Sequence, residues 1–159
     1  MDPKKRQELI IEARKKALLL YEGKVAPHRS CGIALAETFN LPTRPYQALR
    51  KGGITGEGQC GAIKAGELIL GEILGDPDPT GKVTEILRNA MLHYQRIVNE
   101  RIEKGSAQTI ICNEMTGQFS DFNSSERLRF CTNIAATVAE CVAEVLTESG
   151  YQFEITPVG

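Results

Sequence analysis

Apolar residues recur at helical spacing along most of this chain, with charged residues filling the turns between them. Leu9, Ile10, Ala13, Ala17, Leu20 and Tyr21 form the first such stripe; Asp2 can cap the helix, Pro3 suits its first position and Gly23 ends it. A shorter helix is expected from about Ser30 to Phe39, carrying Cys31, Ile33, Ala34 and Leu35, and stopping before the Leu41-Pro42 step. Cys31 then falls in its first turn. Thr43 is placed to cap a third short helix through Tyr46, Ala48 and Leu49, which Gly52-Gly53 ends. A glycine-rich loop follows, and the pattern then predicts a helix from about Gln59 to Leu74.

The run Gly75-Asp76-Pro77-Asp78-Pro79-Thr80-Gly81 is a dense turn cluster and the clearest break in the pattern. Beyond it, Val83, Ile86, Leu87, Ala90, Tyr94, Ile97, Val98 and Ile102 predict a long helix from about Lys82 to Lys104, ended by Gly105. The triplet Ile110-Ile111-Cys112 is too short to be typed by periodicity. Asn123 and Glu126 have the spacing of a capping box, opening a last helix that continues through Leu128, Cys131, Ile134, Ala135, Val138, Val142 and Val145 to Gly150. In the tail, Tyr151, Phe153 and Ile155 alternate with polar residues, as in a short strand or an irregular arm. Strand signals are otherwise almost absent and no repeat stands out. The expected fold class is all-α: a compact bundle of about five or six helices with irregular connecting loops, residues 1–159 forming one domain.

Charge narrows the partners. Nineteen basic residues against 20 acidic ones give a net charge of −1, which points to neither nucleic acid nor an anionic membrane, and Lys4-Lys5-Arg6 is too short a basic run to change that. Leu9 to Leu20 is broken by Glu12, Arg14, Lys15 and Lys16, unlike a secretory signal, and no apolar run reads as long enough for membrane insertion. The expected location is cytoplasmic. Thiols stay reduced there, so five dispersed cysteines point to metal binding, redox chemistry or plain burial.

The segment GGITGEGQCGAIKAGELILGE, Gly52 to Glu72, sets Cys60 at the start of an apolar helix. Unpaired N–H groups at such a terminus stabilise a thiolate, making Cys60 a candidate ligand or redox thiol with a lowered pKa. Cys31 falls near another helix start, and Cys112 at an element edge beside Asn113-Glu114. Cys141 lies beside the Ile134, Val138, Val142, Val145 stripe, where core packing is its expected task. There is no CxxC pair, zinc-finger spacing or CxxCH, so any metal site has to be assembled by the fold. Thiolates drawn from several helices would suit an iron–sulfur cluster or tetrahedral zinc. His28, three residues before Cys31, is a candidate ligand or proton donor, whereas His93 reads as a partly exposed helical residue. The loop Gly52 to Gly58 lacks the Gly-Lys-Ser/Thr of a phosphate loop and follows no strand; its glycines read instead as tight backbone near Cys60. No nucleophile elbow is present, and Glu67 and Glu72 read as a solvated face.

The order Cys31, then GEGQCGAIKAGELILGE around Cys60, then Cys112, then Cys131 resembles a redox-active family named for four cysteines and a CGAxxG motif. The resemblance runs from roughly Ala26 to Val145. One departure is that Ala65 stands where the family has glycine, and Gly66 follows. The resemblance implies an α-helical domain whose redox or metal-binding cysteines are Cys31, Cys60, Cys112 and Cys131, with Cys141 outside the set. It also implies a likeness to the domain that accompanies haem in split-Soret cytochromes, where an iron–sulfur site is associated with it. The leading expectation is therefore an iron–sulfur cluster used for electron transfer with a redox partner the sequence does not specify. Two alternatives stay open: a metal-free thiol–disulfide protein in which Cys60 attacks, and a sensing or scaffolding module holding zinc or iron. The amphipathic first helix and the apolar tail leave room for a homodimer.

Overall fold

The computed structural model describes residues 1–158. They form six α-helices, α1 (Pro3–Glu22), α2 (Cys31–Thr38), α3 (Gly61–Leu74), α4 (Glu85–Arg101), α5 (Cys112–Thr116) and α6 (Ser125–Glu148), with a 3₁₀ helix at Arg44–Leu49. The fold class is all-α. Among the described residues the one extended pairing is an isolated antiparallel bridge between Gln59 and Ile111.

The first helix follows its punctuation. Asp2 Oδ1 accepts from the backbone N–H groups of Lys4 and Lys5 at 2.9 and 3.1 Å, and Gly23 closes the helix at φ 75°. Three termini differ from the sequence reading. Thr43 makes no side-chain cap, and its helix winds as a 3₁₀ turn. α4 begins at Glu85 and not at about Lys82, capped by Thr84 Oγ1, which accepts from Leu87 N at 3.1 Å; Val83 lies before it, and Val83 and Ile86 are both exposed, outside the buried stripe. Ser124, one residue past Asn123, caps α6 by accepting from Arg127 N at 3.1 Å. In each case an oxygen on a short side chain has to meet the N–H two or three residues on, so one residue of register decides the cap.

α6 is the axis of the core and packs against α1, α2, α3 and α4. Small residues allow α1 to lie close: Ala13 and Ala17 are fully buried, as are Ala135, Ala136 and Ala139. Arg14 of α1 spans the seam, donating to Asn133 Oδ1 at 3.1 Å and Thr137 Oγ1 at 3.3 Å. Ile69 and Leu70 of α3, with Val138, Val142 and Leu146 of α6, are completely removed from solvent, each such side chain contributing about 1.5–3 kcal/mol. Length and hydropathy alone would let α6 cross a bilayer, contrary to the sequence reading, yet 72% of its apolar window is buried inside the fold.

The shifted glycine of the motif has a structural task. A Cβ at Gly66 would overlap the Tyr94 hydroxyl, which instead lies across α3 and donates to Ile63 O at 2.7 Å. This close approach joins α3 to α4. The turn cluster at residues 75–81 is held by its own side chains, with Asp78 Oδ1 accepting from Thr80 N and Asp76 Oδ1 from Asp78 N, both at 2.9 Å. In the tail, Phe153 and Ile155 pack on the core, with Phe153 tilted against Phe39 at 5.9 Å between ring centroids.

Candidate functional site

Three of the four cysteines sit at helix beginnings: Cys31 is the first residue of α2, Cys60 the cap residue of α3 and Cys112 the first residue of α5. Cys131 lies one-third of the way along α6. Backbone pairing draws two of these starts together. Cys60 N donates to Ile110 O at 2.7 Å, Cys112 N to Gly58 O at 2.9 Å and Asn113 N to Gly56 O at 2.8 Å, so the glycine loop is sewn onto residues 110–113. Glycine is required where the chains meet most closely: a Cβ on Gly52 (φ 61°) would overlap Cys112 Cβ, and one on Gly61 would lie 2.8 Å from Cys31 Sγ.

All four cysteines line one cavity of about 290 Å³. They are free thiols and half-buried, whereas Cys141 is free, fully buried and away from this cavity. Among the described residues, the only three ligand atoms of His, Cys, Asp or Glu that lie within 4.8 Å of one another belong to His93, Glu144 and Glu148. No three of the four sulfurs therefore approach that closely. His93, a partly exposed residue of α4 as expected, lies between α4 and α6, with Nδ1 at 3.1 Å from Glu148 Oε2 and Nε2 at 3.6 Å from Glu144 Oε2. Glu144 is also held by Arg101 at 3.0 Å.

Burial governs the thiols. It pushes Cys31 up to about 11, reinforced by Cys131 and Cys112, against lowering by the backbone N–H groups of Gly32 and Ala62. Cys60 is raised further, by burial first and Cys31 next, although the N–H groups of Ile63 and Ala62 point the other way. The acidified Cys60 expected from its helix start is thus corrected: desolvation exceeds the terminal dipole. Burial also raises Cys112, with the Lys51 and Arg127 charges opposing.

Several lining residues were not singled out from the sequence. Arg127 donates through Nε to Phe122 O at 2.6 Å and through Nη1 to the Tyr21 hydroxyl at 2.8 Å, and its guanidinium lies 4.1 Å from the Phe122 ring centroid. Lys51 Nζ lies over the same ring at 5.0 Å. Ser30 Oγ, also in the lining, is buried without a hydrogen-bond partner. His28, which the sequence did single out as a candidate ligand or proton donor, also lines the cavity; its Nδ1 donates to Tyr21 O, and its ring meets Tyr21 edge-on at 4.8 Å. Arg127 precedes Cys131 by four residues, so the i,i+4 rule placed them on one face of α6 and was the available signal.

Residues 29–145 match the family model described as "Putative redox-active protein (C_GCAxxG_C_C)". No curated protein and no solved structure matches the chain.

Proposed function

The chain belongs to this redox-active family, and from that premise we propose that Cys31, Cys60, Cys112 and Cys131 together hold an iron–sulfur cluster used for electron transfer. The observation that carries the reading is four free thiols, delivered by four different helices to one cavity, with no three sulfurs within 4.8 Å. A tetrahedral zinc with bonds of about 2.3 Å would draw its sulfurs to about 3.8 Å from one another. A polynuclear cluster spreads its thiolates wider, and cysteine thiolates are its usual ligands.

The surrounding residues fit such a group. Burial, which raises Cys31 to about 11 and Cys60 further, makes these two poor nucleophiles by themselves at neutral pH, which weakens the metal-free reading in which Cys60 attacks; a bound cation is what would stabilise them as thiolates. The orphaned Ser30 hydroxyl supplies a donor that the protein itself leaves unused. Arg127, fixed by Tyr21 and Phe122 O, places a positive charge where anionic sulfur would collect. Met115, Phe130 and Ile134 contribute apolar surface to the wall. A bound cluster supplies a one-electron couple; the chain supplies ligands, a fixed countercharge and apolar surface.

Anaerobic purification of the full chain tests this. Iron with acid-labile sulfide and a visible charge-transfer spectrum is the expected outcome. Stoichiometric zinc, or no metal with a titratable disulfide, overturns it.

A further inference from the structure

The exposed lining residues of the four-cysteine cavity are His28, Arg50, Lys51 and Phe122. With half-buried Arg127 behind them, every charged side chain in the lining is basic; no aspartate or glutamate is among them. This concentration of one sign occurs in a chain of 19 basic and 20 acidic residues, so it is local. It is also held in place. Lys51 and Arg127 both lie against the Phe122 ring, and Arg50 Nη1 donates to Gln47 Oε1 at 3.3 Å. Positive side chains around a mouth with low-dielectric walls focus their field outward and favour the approach of a negative surface.

We propose that this mouth is the docking face for a small acidic electron-carrier protein, whose clustered carboxylates meet Arg50 and Lys51 while Phe122 supplies the apolar centre of the contact. The inference rests on the electron-transfer reading above, because the four thiols and these exposed basic residues line the same cavity. Charge pairing of this kind raises association rates and selects the partner more than it adds affinity. The contact is accordingly transient and salt-sensitive.

The test titrates the full chain, as purified, with an acidic [2Fe–2S] ferredoxin as probe, following association by calorimetry while metal content is assayed on the same sample. Association is expected at low salt. Raising the salt from about 0.01 M to about 0.15 M, which shortens the screening length from about 30 to about 8 Å, should weaken it by about tenfold or more. Arg50→Glu/Lys51→Glu should abolish it, and Arg96→Glu, the same kind of charge change on the exposed face of α4, should leave it intact. Association that ignores salt or survives the double reversal overturns the proposal, as does no association with the unaltered chain, or self-association of the chain in place of capture of the probe. A sample that lacks iron but still captures the probe at Arg50 and Lys51 fails the cluster reading and not the docking face.

Discussion

Cys60 and Cys141 illustrate how burial divides cysteines that composition alone leaves alike. Cys141 has no solvent exposure and lies away from the cavity, whereas Cys60 keeps an edge on it. Cys60→Ser is expected to lower the iron content sharply with helicity retained by circular dichroism, because a hydroxyl replaces a soft ligand of similar size. Cys141→Ser should keep the iron and cost about 1–3 kcal/mol in urea unfolding, through a buried hydroxyl without a partner. Equal iron loss in both variants would contradict this division. The order of the cysteines was legible in the sequence, and so was the core role of Cys141. The electrostatics of Cys60 were not: its helix start is local and readable, while the desolvation that raises its pKa comes from residues far away in the chain.

The helices themselves were largely readable, since an amphipathic stripe declares its period whatever it packs against. Their ends were less so. The Asn123–Glu126 spacing resembled a capping box, yet Ser124 makes the bond; Ser124→Ala should therefore lower stability by about 1 kcal/mol, while Asn123→Ala stays within about 0.5 kcal/mol of the parent. Comparing the two thermal melts decides which residue caps. Gly66 is a stronger case of context, because nothing local says that a tyrosine from α4 crosses there. Gly66→Ala is expected to destabilise by about 1–3 kcal/mol through overpacking, and adding Tyr94→Phe should recover part of that loss. A double-mutant cycle measures the coupling, and strict additivity would remove the Gly66–Tyr94 contact from the account.

At the scale of the whole molecule, all-α architecture followed from the pattern, but the assembly of one cavity from four helices did not, because the bridge between Gln59 and Ile111 spans positions with no mutual signal in the chain. Buried neutral thiols also give the molecule an alkaline weakness. Burial holds Cys141 up to about 12, with Arg101 opposing and Glu140 and Glu144 adding to it. A free thiol in the unfolded chain titrates near 8.5, so below that pH both states keep the proton and the native contribution is complete. As pH rises toward 12 the unfolded state ionises first and stability is lost. Urea midpoints measured from about pH 8 to about pH 11 should fall, and the fall should be smaller in Cys141→Ala; an unchanged slope would show that this thiol does not report on unfolding.

The exposed turn at residues 75–81 separates Cys31 and Cys60 from Cys112 and Cys131, so it parts the four thiols two and two. Exposed loop tips are preferred places for nicking. A chain cut there yields two fragments, neither of which carries more than half of the proposed ligand set, yet α6 in the second has contact faces for α1, α2 and α3 in the first. Iron uptake by the mixed fragments, and by neither alone, would thus serve as a built-in signal of fragment complementation.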